Sequence, residues 1–381
     1  MMKKTIAFVL IFALLLALPF AGASAFDLGE EINAKSAVLM DAATGKVLFE
    51  HNADEALPPA SVTKIMTLLL VFEALDSGKI ALSDMVSTSE RAASMGGSQI
   101  YLEVGEEMSV DDLIKSVVVS SANDAATALA EFVAGSEASF VSRMNERAKE
   151  LGMTSAHFEN TNGLDDTAKE HKISAHDIAV MSRELMTHEK IFDYTTIWMD
   201  TVRNGTFGLS NTNRLLRTYN GCTGLKTGST AKAKFCISAT AKRNGLHLIA
   251  VVMGSPTRDE RNALAAKMLD WGFANYALFE AEGSIISDIA VTGGVTKTLS
   301  AKHGSFSALV GKGESGGVKT IYDVPQTIAA PIKAGDKIGT VTFKSGEHIL
   351  GSVDIVAAED VRKIDFLALL PKIFKYMVCF Y

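Results

Sequence analysis

A long helix-forming block lies between two strand-forming segments, and this order limits the folds open to the chain. From about residue 64 to 190, apolar residues recur mainly at the 3.6-residue spacing of amphipathic helices. Alternating residues from Lys35 to His51, and again from Cys236 to Met253, indicate strands on either side. Each strand segment contains a turn signal, at 43–45 and at 243–245, that makes its two strands antiparallel. The order therefore predicts an α/β domain with an antiparallel sheet flanked by helices.

A second, smaller domain is predicted towards the C-terminus. Residues 262–273 have the pattern of a helix that closes the first domain, and the composition then changes to glycine, threonine and valine. Short alternating segments continue to Val356, which is typical of an all-β unit. The change near Ala281 predicts a first domain over 26–280 and a β-rich domain over 281–360. A chain of 381 residues is long enough for two domains.

The first 25 residues have the three parts of a secretory signal peptide. Lys3 and Lys4 precede an apolar run over 6–20, and Ala23-Ser24-Ala25 supplies the small residues of a cleavage site. A retained membrane anchor is the alternative, but an apolar run of about 15 residues is short for a span, which needs about 20. The prediction is an exported protein that starts at Phe26 after cleavage.

Charge and cysteine content exclude several classes of protein. Loss of the two signal lysines takes the formal net charge from −7 to −9, which gives no basic surface for nucleic acid. Three cysteines cannot build a disulfide framework in an exported chain. Cys222 and Cys236 could pair, although isolated buried thiols fit the sequence better. The eight histidines form no HxxxH or HxH pair, so no metal site is predicted.

The last residues, 361–381, have the broad apolar face of an amphipathic helix. Four apolar residues step by four along this face: Phe366, Leu370, Phe374 and Val378. Several charges, including Lys372 and Lys375, would be costly inside hydrocarbon, which disfavours a membrane span. A helix that lies in the membrane interface fits the pattern best, and a terminal helix packed on the second domain is the alternative.

Three short polar motifs carry the candidate chemistry. In Ser61-Val62-Thr63-Lys64, a hydroxyl and an amine lie three residues apart at a predicted helix start and share one helix face. A serine becomes a good nucleophile when a base takes its proton, and a lysine can be that base if its surroundings keep it neutral. Ser121-Ala122-Asn123 interrupts an apolar stretch, where polar groups need partners. Lys226-Thr227-Gly228 opens the later strand block, where a glycine permits a ligand to approach the backbone closely.

In this order, the SxxK, SxN and KTG motifs resemble the active-site set of the penicillin-interacting serine enzymes. The chain is similar to the low-molecular-weight penicillin-binding proteins that act as D-alanyl-D-alanine carboxypeptidases, serine peptidase family S11. The resemblance spans about residues 30 to 275 and includes Gly96-Gly97-Ser98, Asn162-Gly163-Leu164 and Trp271-Gly272-Phe273. The tail also resembles the membrane-binding helix of that family.

The resemblance implies a β-lactamase/transpeptidase-like fold for the first domain. It further implies removal of the terminal D-alanine from peptidoglycan pentapeptides through an acyl-enzyme, and acylation by β-lactam antibiotics such as penicillin. No cofactor is implied. The implied place of action is the outer face of the cytoplasmic membrane or the cell wall.

The resemblance also implies roles for individual residues. Ser61 would be the acylated nucleophile and Lys64 the base that takes its proton. Ser121 would relay a proton between Lys64 and the nitrogen of the leaving D-alanine. A nearby ammonium on Lys226 would help to keep Lys64 neutral.

Six residues would bind the substrate: Asn123, Lys226, Thr227, Gly228, Ser229 and Arg261. Asn123 would hydrogen-bond a substrate amide. Lys226 would hold the terminal carboxylate by its charge, and Thr227 would hold it by donation from its hydroxyl. Arg261 would lie near the same end of the site. The oxyanion would sit between the backbone N–H groups of Ser61 and Ser229.

Some features depart from the common pattern of the family. Relatives often carry Asp where Thr223 stands and Gly where Lys234 stands, which affects the expected substrate fit more than the reaction. A class A-like β-lactamase would need a carboxylate that activates water, and Glu159 lies 38 residues after Ser121. Its surroundings match the carboxypeptidase pattern, in which this residue is structural. Some transpeptidase activity stays open, and the intact motifs disfavour a catalytically silent wall-binding protein.

Overall fold

The structure is a computed structural model that describes residues 32–165, 168–366 and 369–370. The predicted signal peptide, 1–25, and most of the predicted tail helix lie outside these residues. The described residues form an α/β domain followed by a β domain, which confirms the predicted fold class.

The first domain begins with the hairpin predicted from the alternating segment, formed by β1 (Ser36–Asp41) and β2 (Val47–His51). A 3₁₀ turn at Ala60–Thr63 leads directly into helix α1 (Lys64–Asp76). The helical block continues with α2 (Glu90–Ala93), α3 (Val110–Val119), α4 (Asn123–Ala134), α5 (Glu137–Glu150), α6 (Ala175–Leu185) and α7 (Ile191–Thr195). Within this block, β3 (Met85–Ser87) and β4 (Glu107–Ser109) pair antiparallel on either side of α2. A hairpin of β5 (Met199–Val202) and β6 (Phe207–Ser210) and a short helix, α8 (Leu215–Thr218), lie between the block and the later strands.

Three later strands complete the main sheet: β7 (Cys222–Thr230), β8 (Lys234–Arg243) and β9 (Leu246–Ser255). The strand order is β2-β1-β9-β8-β7, and every neighbouring pair is antiparallel. Asn244 and Gly245 join β8 to β9 with φ angles of 50° and 82°, as a two-residue hairpin turn requires. Because β1 pairs with β9, the two strand segments on either side of the helical block meet in one sheet.

Helices cover both faces of this sheet. Helix α9 (Arg258–Asn275) packs on one face, where Gly272 allows a close approach; a Cβ there would lie 2.5 Å from Leu248 Cδ1. On the other face, Val38 and Met40 share a core with the helical block. Helix α1 runs through this core with ten of its thirteen residues buried, so its first residue, Lys64, is carried into the interior.

The second domain contains eight strands: β10 (Tyr276–Ala281), β11 (Ile285–Thr292), β12 (Thr298–His303), β13 (Phe306–Gly311), β14 (Val318–Asp323), β15 (Thr327–Ala329), β16 (Lys337–Ser345) and β17 (His348–Ala357). Strand β10 pairs with β13, so strand pairing in this domain starts at Tyr276. The others form a six-stranded sheet in the order β14-β16-β17-β12-β11-β15, with β11 and β15 parallel. Phe343 stacks on Phe306 in its small core, with ring centroids 4.4 Å apart.

The first residues of the predicted tail are part of the second domain. Val361 forms a bridge with Ile332 and is 2% exposed, and Lys363 forms a bridge with Gly294. A helical turn follows, in which the Leu369 N–H donates to the Asp365 carbonyl over 3.0 Å. Within the described ranges, no helix combines the length and apolar character needed to cross a membrane.

Candidate active site

Ser61 lies in the 3₁₀ turn immediately before α1, so the predicted helix is present but its α-helical part begins at Lys64. The Nζ atom of Lys64 lies 2.9 Å from the Oγ atom of Ser61. Ser61 is half-buried, whereas Lys64 is 0% exposed. The two groups are therefore in hydrogen-bond contact at the edge of the protein interior.

Two further acceptors surround the Lys64 amine. Its Nζ donates to Asn123 Oδ1 over 2.6 Å and to the Asn162 carbonyl over 2.9 Å. Burial holds the pKa of Lys64 well below its usual value; the Lys226 charge lowers it further, and the Asp124 carboxylate opposes both. The sequence predicted the direction of this pKa shift but attributed it to Lys226, which is the second cause and not the first.

Two glycines permit close backbone contact with the Ser61 turn. Gly163 has φ +83°, and a Cβ there would lie 1.9 Å from the Ala60 carbonyl oxygen. A Cβ at Gly228 of the KTG motif would lie 2.7 Å from the Ser61 backbone nitrogen and 2.9 Å from that of Val62. Gly228 was predicted to admit a ligand to the backbone, and the structure shows that it also admits the protein's own Ser61 turn.

The SxN motif turns sharply into α4. Ser121 has φ +62°, and α4 begins two residues later at Asn123. The Asn123 side-chain amide donates to the Gly96 carbonyl over 2.6 Å, and its backbone N–H donates to the Ser98 carbonyl over 2.7 Å. The loop around 96–98 and the start of α4 are thereby tied together beside Lys64.

Lys226 links the KTG motif to the SxN motif by a hydrogen bond. Its Nζ donates to Ser121 Oγ over 2.8 Å and to the Thr227 carbonyl over 2.9 Å. Burial lowers the pKa of Lys226 to about 7, and the Arg261 charge contributes to the same shift. The sequence predicted a proton relay by Ser121 but did not predict this contact with Lys226.

The remaining predicted residues lie along β7 and on α9. The Thr227 hydroxyl donates to Thr212 Oγ1 over 2.7 Å, and Ser229 is exposed on the same strand. Arg261 is 2% exposed; it donates to the Cys236 carbonyl over 3.2 Å, and its charge acts on Lys226. Burial lowers the pKa of Arg261 to about 10. The structure thus brings all three motifs together, with Arg261 behind the KTG strand.

The sequence profile of the D-alanyl-D-alanine carboxypeptidase family matches residues 22–257. The chain belongs to this family. A second profile, the C-terminal domain of penicillin-binding protein 5, matches residues 273–363. The chain is therefore a serine D-alanyl-D-alanine carboxypeptidase of the penicillin-binding type, as the motifs predicted.

Relatives match nearly the whole chain. The D-alanyl-D-alanine carboxypeptidase DacF of Bacillus subtilis is 45% identical over 347 residues, which cover 89% of this chain and 88% of the relative. Penicillin-binding protein 5 of Haemophilus influenzae has a crystal structure that matches with a TM-score of 0.75 and 31% identity, covering 88% of this chain and 99% of that one. Penicillin-binding protein D2 of Listeria monocytogenes, solved with ampicillin bound, matches with a TM-score of 0.59 and 32% identity over 65% of this chain and 99% of that one.

Several residues that support the carboxypeptidase site were given no role from the sequence. Asn162 supplies a carbonyl to Lys64, and Thr63 at the end of the Ser61 turn bonds His171 over 2.9 Å. Because His171 Nδ1 accepts the Glu159 N–H over 3.1 Å, its Nε2 carries the proton that Thr63 accepts. Burial lowers the pKa of His171 to about 4, so this contact persists at neutral pH. The family resemblance included the Asn162-Gly163-Leu164 segment, but no role in the site was predicted for it.

Glu159 and the two described cysteines take no part in the contacts around Ser61. Glu159 is exposed, and its carboxylate accepts the Glu170 N–H within its own loop over 3.2 Å. This agrees with the structural interpretation of Glu159. Cys222 and Cys236 are free thiols, because they lie opposite Ala241 and Gly228 respectively, well apart along the β7–β8 ladder.

Proposed function

We propose that Ser61 is the nucleophile of the carboxypeptidase and that neutral Lys64 is its base. A neutral amine has two N–H groups and one lone pair. The two N–H groups match the Asn123 and Asn162 acceptors, which leaves the lone pair directed at the Ser61 hydroxyl 2.9 Å away. This contact between Ser61 and a fully buried lysine is the observation that carries the proposal.

The reaction would proceed in two steps. Ser61 Oγ attacks the carbonyl carbon between the last two D-alanines, its proton moves to Lys64 Nζ, and the C–N bond to the leaving D-alanine breaks. The Ser121 hydroxyl, which Lys226 holds at 2.8 Å, gives its proton to the leaving nitrogen and takes in return the proton that Lys64 received from Ser61. Water then attacks the ester and gives a proton to Lys64, which returns a proton to the Ser61 oxygen as the C–O bond breaks and the shortened peptide leaves as a carboxylic acid.

The KTG strand would bind the end of the substrate. Lys226 supplies the cation for the terminal carboxylate, with Arg261 behind it and Thr227 beside it. The backbone N–H groups of Ser61 and Ser229 would hold the oxyanion, since Gly228 lets the two backbones approach. Asn123 has a second amide hydrogen besides the one given to Gly96, and this hydrogen would bind a substrate carbonyl.

The proposed substrates are peptidoglycan pentapeptide stems that end in D-Ala-D-Ala, and β-lactams would acylate the same serine. The ampicillin-bound structure of the Listeria relative supports the second point. The signal-like residues 1–25 support export, and the tail pattern supports attachment to the outer face of the cytoplasmic membrane.

Mass spectrometry after incubation with labelled penicillin tests the nucleophile. The expected result is an intact adduct on the peptide that contains Ser61. An adduct on a different peptide would place the nucleophile elsewhere.

The two buried lysines predict a bell-shaped pH dependence of kcat/KM for a peptide with a free C-terminal carboxylate. Activity falls with decreasing pH as Lys64 takes a proton at its lowered pKa and ceases to be a base. Activity also falls as pH rises above about 7, the pKa of Lys226, because the carboxylate then loses its cation. The C-terminal carboxamide of the same peptide should lack the alkaline fall. The same alkaline fall with both peptides would contradict the role of the Lys226 charge.

If the tail binds membranes, as proposed, the residues responsible follow Asp365. Because Val361 and Lys363 pair within the second domain, the truncation must keep residues 361–364. Protein ending at Asp365 should hydrolyse D-Ala-D-Ala peptides normally but should not bind anionic vesicles in a sedimentation assay. As a matched control, replacing Lys372 and Lys375 with Glu in the full chain should weaken vesicle binding at least fivefold per lysine lost, at about 1 kcal/mol each. Equal vesicle binding by the truncated and full-length proteins would show that the tail only completes the fold.

A further inference from the structure

Strand β14 forms an exposed edge of the six-stranded sheet in the second domain. Among the described strands it pairs with β16 alone, and five of its six residues are exposed. These include two large side chains, Ile321 at 44% and Tyr322 at 51% exposure. The other edge strand, β15, has only three residues. A six-residue edge presents a row of backbone N–H and C=O groups with which a further strand can pair.

The side chains of β14 alternate between the two faces of this sheet. Val318 packs against the small core that contains Phe343, so it lies on the inner face. Lys319, Ile321 and Asp323 therefore share the outer face, where Ile321 stands between the two charged residues.

Charge is distributed unevenly along this outer face. Lys319 lies directly opposite Lys344 of β16, and like charges in that arrangement destabilise a sheet. Within the described ranges, no carboxylate lies within ion-pair distance of either lysine. At the other end of the strand, Asp323 lies opposite Thr340 and has no cationic partner among the same residues. The edge is therefore basic at its start and acidic at its end.

We propose that β14 is a self-association surface, at which two copies of the chain pair their β14 strands antiparallel about a two-fold axis through Ile321. In this register, Ile321 of one copy lies opposite Ile321 of the other. Lys319 of each copy then lies opposite Asp323 of its neighbour, and the two-fold axis forms this pair twice. Each Asp323 supplies the negative charge that the Lys319 and Lys344 pair lacks in a single copy.

The charges select this register over its neighbours. A shift by two residues keeps the side chains on their faces but moves Lys319 away from Asp323. A shift by one residue places outer-face side chains opposite inner-face ones, which a continuous sheet does not permit. A lysine on an edge strand commonly prevents pairing with other chains. Here the same lysine selects the one partner strand that carries a carboxylate at the matching position.

Sedimentation velocity of the full chain in a non-ionic detergent tests this inference. A reversible dimer is expected, with a Kd of about 1–100 μM, because one added strand pair is a small interface. Asp323→Lys places two pairs of lysines opposite each other and should weaken the dimer at least about tenfold. Lys319→Asp should do the same with two pairs of carboxylates. A mixture of these two variants should associate as wild type does, because both cross-strand pairs then carry opposite charges.

Lys297→Asp is the matched control, since it reverses an exposed lysine on the turn between β11 and β12. It should dimerise as wild type does. A wild-type chain that stays monomeric at about 100 μM would overturn the inference. So would a dimer that survives both charge reversals, because another surface, such as the C-terminal tail, would then join the copies. All variants should release D-alanine at the wild-type rate, because the three motifs lie in the first domain, so failure here leaves the proposed function intact.

Discussion

Ser61→Ala is expected to lose both penicillin acylation and release of terminal D-alanine. The hydroxyl that is removed is the one in contact with the buried Lys64 amine. Loss of a covalent nucleophile should reduce kcat by about 10³-fold or more. Release of D-alanine from a D-Ala-D-Ala peptide and gel detection of a fluorescent penicillin measure the two activities.

Lys64→Met is the companion variant, since it removes the base and keeps much of the side-chain volume in the core. It should lose acylation nearly as completely. Thermal unfolding should show both variants folded, and Ser61→Ala should unfold close to the wild-type Tm because the side chain is small and half-buried. Near-normal acylation in either variant would mean that a different group is the nucleophile or the base.

Lys226→Ala is expected to lose activity towards peptides that end in a free carboxylate. One charge-assisted contact contributes about 1.5–3 kcal/mol, so kcat/KM should fall roughly 10- to 150-fold. Since burial is the main cause of the lowered Lys64 pKa, Lys64 should remain largely neutral in this variant. A C-terminal carboxamide should therefore suffer a smaller loss, due mainly to the lost contact with Ser121.

Two lysine variants control this experiment. Lys226→Arg keeps the charge and should retain part of the activity on the free acid. Lys242→Ala removes an exposed lysine from the neighbouring strand β8 and should change nothing. If Lys226→Ala cleaved the free acid as well as wild type does, the carboxylate would be bound elsewhere.

Local patterns in the sequence were sufficient to predict the main helices and strands and to identify the three motifs. The apolar spacing of α1 and the Asn244-Gly245 turn depend on neighbouring residues, so both were predictable. The Ser61 turn was predicted as the start of an α-helix, although its backbone is 3₁₀; the close approaches of Gly163 and Gly228 come from distant segments and leave no local signal.

The partners of the site residues were harder to predict than the residues themselves. Lys64 and Ser121 were identified by their motifs, yet their pairing with Asn162 and Lys226 depends on how four segments meet. The cause of the Lys64 pKa shift was misjudged for the same reason, because a sequence shows the nearby charge but not the depth of burial.

The contacts that surround Ser61 and Lys64 span large separations in the chain. Lys64 reaches its two other acceptors across 59 and 98 residues, and Lys226 reaches Ser121 across 105. In an unfolded chain Ser61 and Lys64 remain only three residues apart, but the lysine is then hydrated and protonated, with a pKa near 10.4. Protein that has not yet folded should therefore be inert towards β-lactams, and the antibiotic should react only with molecules that have finished folding. Penicillin labelling of this chain should therefore measure its folded fraction, because no label is expected until the last of these long-range contacts has formed.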